Sequence, residues 1–168
     1  MIREDFFSEL WKRERIREHL GDLVGLRFHR GLVFSLKKIS RTAPFLYNAG
    51  REFALASFKS EERISLQEAI REIKEIFEKE KVGIVEIIEM GNENCKIAVR
   101  ESATAHGVRA GERVCHFIAG FVAGYVEART GLEVDVRETR CAAEGNERCE
   151  FEIFGSEASF AKFLAGEL

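Results

Sequence analysis

The sequence holds one proline (Pro44), one tryptophan (Trp11) and one glutamine (Gln67) in 168 residues. So little proline excludes a polyproline recognition segment or a proline-stiffened linker. No apolar run approaches the ~18 residues that cross a bilayer. The N-terminal stretch MIREDFFSELWKRER is charged throughout and lacks the apolar core of a secretory signal. A cytoplasmic location is therefore expected, and thiols stay reduced there. There is no CxxC pair, glycine-rich phosphate loop, dinucleotide fingerprint, Ser/His/Asp set or pair of catalytic carboxylates. No catalytic residue is assigned on this reading.

What is present suits a soluble globular fold. Hydrophobic residues make up 45% and charged residues 33%. The length supports one well-buried core. Net charge is −3, with basic residues concentrated in the first third. Both signs are interspersed along a solvated surface, so nucleic acid is not an expected partner.

Periodicity outlines the elements. Asp5 can cap a helix carrying Phe6, Phe7, Leu10 and Trp11 that stops before Gly21. In GLRFHRGLVFSLKKIS, residues Val33 to Leu36 fit either a short strand or a helical turn. A helix is expected from Thr42 and Pro44, with Leu46, Ala49, Gly50, Phe53 and Phe58 along one face. Ser65 and Glu68 form a capping-box pair ahead of Leu66, Ala69, Ile70, Ile73 and Phe77 at helical spacing. The period then changes to two. Ile84 to Met90 and Cys95 to Glu101 read as a hairpin turning through GNEN. A further helix carries Val114, Phe117, Ile118, Phe121, Val122 and Tyr125 and ends at Gly131. In it Gly120 and Gly124 are four residues apart, so another backbone can approach closely. A second hairpin, LEVDVRETR and RCEFEIF, turns through EGNE, and a short helix is expected from Ser156. The expected fold class is α+β, an antiparallel sheet of about four strands from two hairpins, covered by helices. Residues 1–40 are expected to form an N-terminal helical segment for dimerisation or packing, and residues 41–168 the main domain.

Three of the four cysteines lie close to the second hairpin. Leu132, Val134, Val136 and Glu138 share strand parity, and three are apolar, so Glu138 points toward the core. Cys149 shares parity with Phe151 and Ile153 and also points inward. A buried carboxylate without a partner costs several kcal/mol. Cys141 lies where the strand ends, and Cys115 lies in the first turn or two of the preceding helix. The helix dipole there is expected to favour its thiolate. Cys115, Glu138, Cys141 and Cys149 can thus close around one metal ion, with zinc the best match to these donors. Spacing leaves other readings open: an Arg partner for Glu138, inert core thiols, or a Cys141–Cys149 redox disulfide. His106 and His116 flank the set and read as surface residues. Cys95 alternates with Ile97 and Val99 and reads as core.

The pattern Cys115, Phe117, Gly120, Gly124, Gly131, Val136, Glu138, Cys141, Gly145, Cys149, Phe151 and Ile153 resembles the 4-vinyl reductase domain family, also described as predicted hydrocarbon-binding proteins. The resemblance extends over roughly residues 42–155. It implies a fold shared with TRAPP subunits and haem nitric-oxide-binding domains, commonly dimeric. It also implies a structural zinc on the same Cys, Glu, Cys, Cys set, beside a buried pocket for a small apolar or aromatic ligand. Phe53, Phe77, Phe117, Phe121 and Tyr125 are the candidate lining residues. Aromatic-sensor relatives place a His and a Trp in that pocket. The only Trp here is Trp11, so phenol itself is not carried over. The function implied is sensory or regulatory binding, with a TRAPP-like interaction module or a thiol redox switch as alternatives.

Overall fold

The computed structural model describes residues 25–40, 43–91 and 94–155. The helices expected near Asp5 and from Ser156 lie outside the described residues.

Four helices and four strands are described, in the order α1 (Leu26–Ser40), α2 (Ala43–Phe58), α3 (Leu66–Lys79), β1 (Ile84–Met90), β2 (Asn94–Arg100), α4 (His116–Thr130), β3 (Val134–Arg140) and β4 (Cys149–Gly155). A one-turn 3₁₀ helix, Ala142–Glu144, links the last two strands. The ambiguous segment at Val33 to Leu36 is helical and lies inside α1.

The sheet is open and fully antiparallel, with strand order β1-β2-β4-β3. Two sequence-local hairpins are therefore joined by pairing β2 to β4, with Ile97 opposite Phe151 and Val99 opposite Cys149. That pairing makes α4 the crossover between hairpins and carries it across the inner face. Val85, Cys95, Ile97, Val99, Val134, Val136, Phe151 and Ile153 line this face and are all buried. The outer face carries ion pairs instead, including Arg100–Glu86 and Lys96–Glu150.

Each helix follows its pattern. Ser65 caps α3, its hydroxyl accepting from the Glu68 amide at 3.2 Å. Leu66, Ala69, Ile70, Ile73 and Phe77 form the buried stripe of α3. By contrast α4 is buried nearly all round, from Ile118 to Val126, because α2 covers one side and the sheet the other. It ends at Gly131 in a left-handed conformation, φ 78°.

Glycine sets how closely α2 and α4 pack. A Cβ on Gly120 would fall 1.9 Å from the Tyr47 carbonyl oxygen, and one on Gly124 would fall 2.3 Å from that of Arg51. Gly50 reciprocates, its Cβ position meeting the Phe117 carbonyl at 2.2 Å. Backbone-to-backbone contact fixes the start of α4, and with it Cys115, relative to the rest of the fold.

Candidate metal centre and neighbouring cavity

Cys115, Glu138, Cys141 and Cys149 are all buried, and one ligand atom from each lies within 4.8 Å of the others. Their elements explain the convergence. Cys115 is the N-cap residue of α4, one position ahead of the helix itself. Glu138 faces inward from β3, whose register shifts just beyond it, between Glu138 and Arg140. Cys141 follows β3 in extended conformation and precedes the 3₁₀ turn. Cys149 opens β4.

The polar surroundings hold the four in place. Glu138 Oε2 accepts from the Cys115 amide at 3.1 Å. The Ala142 amide donates to Cys149 Sγ at 3.4 Å, and Ser102 Oγ lies 3.6 Å from Cys115 Sγ. Asn146 donates to the Cys141 carbonyl at 2.9 Å, and Arg113 donates to that of Glu138 at 2.8 Å. Glu138 Oε1 has no partner, although it is buried. A buried carboxylate oxygen without a donor is costly, and a cation removes that cost.

The donor set fits a metal ion. Cys115 Sγ and Cys149 Sγ are 3.6 Å apart, close to the ~3.8 Å edge of a tetrahedron with metal–sulfur bonds of ~2.3 Å. That separation exceeds the ~2.05 Å of a disulfide, and all four cysteines of the chain are free thiols. The four residues could therefore hold one ion. His106 and His116 are outside the set: His106 is exposed and His116 half-buried.

Charge among these four acids is not where the helix dipole alone would put it. Cys115 is raised well above the usual thiol range, by hydrogen bonding to Cys141 and Cys149 and by burial. Cys141 is strongly lowered, because Cys115 and Cys149 both hydrogen-bond to its sulfur. Cys149 is pushed up to about 12; its bond with Cys115 works in the opposite direction, and the bond with Cys141 together with burial prevails. Burial and then Cys141 push Glu138 up to about 8. Crowded acids in one buried site cannot all ionise. The negative charge settles on Cys141, the sulfur that accepts from two thiols, and the N-cap position of Cys115 does not override this. Cys95 stands apart in the core, raised to about 11 by burial.

A cavity of about 530 Å³ adjoins this centre. Phe53, Phe77, Phe117 and Phe121 line it, four of the five aromatics expected there. Tyr125 does not. Its ring packs on Phe58 at 4.8 Å between centroids, and its hydroxyl donates to Glu72 at 2.7 Å. Sequence patterning missed the other walls: Leu26, His29 and Val33 from α1, Ala103 and Thr104 from the loop after β2, and Lys81 after α3. None of these has a periodic signal, because each reaches the cavity from a helix end, a loop or a separate helix. The same chain segment serves cavity and metal centre. Ser102 approaches Cys115, Ala103 and Thr104 line the cavity, and Phe117 and Ile118 follow Cys115 directly.

Residues 90–154 match the vinyl-4-reductase (V-4-R) domain, so the resemblance seen in the sequence is shown for that stretch. Two uncharacterized proteins of Methanocaldococcus jannaschii are similar. MJ0150 is 28% identical over 107 residues, covering 63% of this chain and 61% of the relative. MJ1642 is 33% identical over 85 residues, covering 49% and 51%. The chain thus spans between half and two thirds of the length of these relatives. Among solved structures, a vinyl-4-reductase family protein from Methanocaldococcus jannaschii is similar at TM-score 0.62 and 23% identity, covering 92% of this chain and 88% of that one. The phenol-responsive sensory domain of the transcription activator PoxR, solved with phenol, is similar at 0.65 and 17%, covering 94% of both. Subunit 3 of a trafficking protein particle complex from Naegleria fowleri, covalently bound to palmitic acid, is similar at 0.62 and 14%, covering 79% and 93%. The fold is of this TRAPP-like α+β kind, and the domain match and sensory-domain neighbour support a ligand-binding sensory domain. Among the described residues, no helix is long and apolar enough to cross a membrane.

Proposed function

We propose that the chain is a zinc-stabilised binding domain for a small hydrophobic or aromatic ligand, acting as a sensory or regulatory module. The observation that carries this reading is the apolar cavity built on the same chain segment, 102–118, that supplies Cys115 to the metal set. Zinc would be held by Cys115, Glu138, Cys141 and Cys149. Four filled positions leave none open for a catalytic water, so the ion supplies stability rather than chemistry. It would pin the start of α4 to the β3–β4 hairpin. The ligand would lie against Phe53, Phe77, Phe117 and Phe121, and a change in the 102–118 segment would pass its presence to a partner. The domain spans residues 41–168 on this reading. Residues 1–40 contribute packing or homodimer contacts, and the protein acts in the cytoplasm.

Metal analysis with native mass spectrometry tests the first half; a folded protein without about one zinc per chain would remove it. A thermal-shift screen against aromatic and aliphatic compounds tests the second half. If nothing in the screen raises the melting temperature, the sensory reading fails.

A second reading has its own observation. Ile84, Ile87 and Ile88 are exposed along the edge strand β1, which suits an interaction module like the TRAPP subunits. Sedimentation of the wild type and of an Ile87→Lys variant separates the two: an assembly lost in the variant favours it.

A further inference from the structure

The cavity is not uniformly apolar, and its polar groups gather at one end. The Ala103 amide donates to the Val82 carbonyl at 2.8 Å, bringing the turn after α3 against the loop after β2. Arg30 reaches the same loop from α1, its Nε donating to the Ala103 carbonyl at 2.8 Å and Nη2 to that of His106 at 2.6 Å. His29, Lys81 and Thr104 are therefore neighbours at this junction, and all three line the cavity. Phe53, Phe117 and Phe121 lie on α2 and α4, away from it.

Two features mark this end as more than a solvated rim. Thr104 is buried, yet its hydroxyl bonds to no described residue. Lys81 occupies the left-handed position that ends α3, at φ 58°. The Val82 amide returns to the Phe77 carbonyl at 2.8 Å and the Lys81 amide to that of Glu78 at 3.3 Å, a Schellman ending. Glycine is the residue such an ending favours. A lysine there strains the backbone, and strain of this kind collects at binding sites. Lys81 is exposed and has no ion pair among the described residues. The cavity also exceeds by more than threefold the ~150 Å³ that suffices for benzene.

We propose that the cavity takes an anionic amphiphile, a molecule with an extended apolar body and one carboxylate head. The Lys81 ammonium and the Thr104 hydroxyl hold the head at the junction of α3 and the loop after β2. The aromatic rings of α2 and α4 hold the body. His29, half-buried beside Arg30, is kept neutral by burial, so it serves as a hydrogen-bonding group and not as a second charge. Glu80 at the same rim disfavours a second anionic group, which limits the ligand to one carboxylate. This rests on the binding reading above and specifies its ligand.

Calorimetry with matched probes tests it: decanoate against 1-decanol, and 2-naphthoate against 2-naphthalenemethanol, at pH 7.5 and low salt. Each carboxylate is expected to bind about tenfold tighter than its alcohol, as a charge-assisted hydrogen bond supplies. Lys81→Met removes that preference and leaves alcohol binding unchanged. Lys81→Gly removes it too, while keeping or raising the melting temperature because the left-handed strain is relieved. Equal affinities within each pair, or a preference that survives Lys81→Met, overturn the anionic head but leave the binding domain standing. Failure of all four probes to bind overturns both.

Discussion

The amide of Cys115 donates to Glu138 Oε2 at 3.1 Å, while Glu138 Oε1 is buried without a partner. One oxygen is thus spent on holding the start of α4 and the other is left for a cation. Glu138→Gln preserves shape and supplies a neutral donor. It is expected to lower bound zinc from about one per chain and to bring the melting temperature of the zinc-loaded protein close to that of chelated wild type. Cys141→Ser should do the same, since Cys141 carries the negative charge of the four. Thiols and a carboxyl held protonated must release protons to bind metal. Zinc affinity should therefore rise from pH 6 to pH 8, with proton release measurable by titration in two buffers.

The α2–α4 contact admits no side chain at Gly120. Gly120→Ala places a methyl 1.9 Å from the Tyr47 carbonyl oxygen. The expected cost is about 3 kcal/mol or more, because backbone on both sides must separate. Chemical denaturation measures it. Gly145→Ala meets no atom within 4 Å, but its φ of 101° penalises any side chain. Its cost, about 1–2 kcal/mol, should come from the backbone alone.

Glu72 binds Arg129 through both oxygens, at 2.9 and 3.0 Å, and accepts from the Tyr125 hydroxyl. The Arg129 hydrogen bond holds its carboxyl below the usual value of 4.5, against burial, which would raise it. A depressed acid stabilises the fold above its unfolded value and loses that contribution as pH falls through the folded value. Between about pH 5 and 3, wild type should lose on the order of 1 kcal/mol that Glu72→Gln never had. Urea melts of both proteins at pH 7, 5, 4 and 3 give the comparison, with the difference between them shrinking in acid.

Helix α1 is tied to the rest by long polar side chains. Arg30 reaches the Ala103 and His106 carbonyls, and Lys37 Nζ donates to the Arg113 carbonyl at 2.8 Å and pairs with Glu112 at 3.0 Å. Arg30→Ala should leave the sheet and α4 intact but speed amide exchange across Leu26–Ser40. Hydrogen-exchange mass spectrometry reads this directly. Unchanged exchange in α1 would mean that its apolar contacts, not Arg30, hold it.

Strand parity and helical period were enough to orient most of the fold. The inward set Leu132, Val134, Val136 and Glu138 is buried throughout. So is the facing set Cys149, Phe151 and Ile153. The capping serine of α3, the terminal Gly131 of α4 and the close approach at Gly120 and Gly124 were likewise legible, because each is a local stereochemical demand. Val33 to Leu36 was not, since a short apolar run fits both periods. Tyr125 shares a helix face with Phe121, yet its hydroxyl is drawn to Glu72.

By itself the sequence determined which side of each element faces inward, and so which four residues could share a metal. Period and parity are properties of consecutive residues, and no distant contact is needed to establish them. The tertiary structure alone decided how far those sides are from one another and what fills the space between. Pairing β2 to β4 brings Glu138 and Cys115 together. Crowding among three thiols moves the charge from the helix start to Cys141. The cavity is closed by α1, a turn and a loop that share no pattern, so Lys81 and Thr104 became neighbours only when the chain folded.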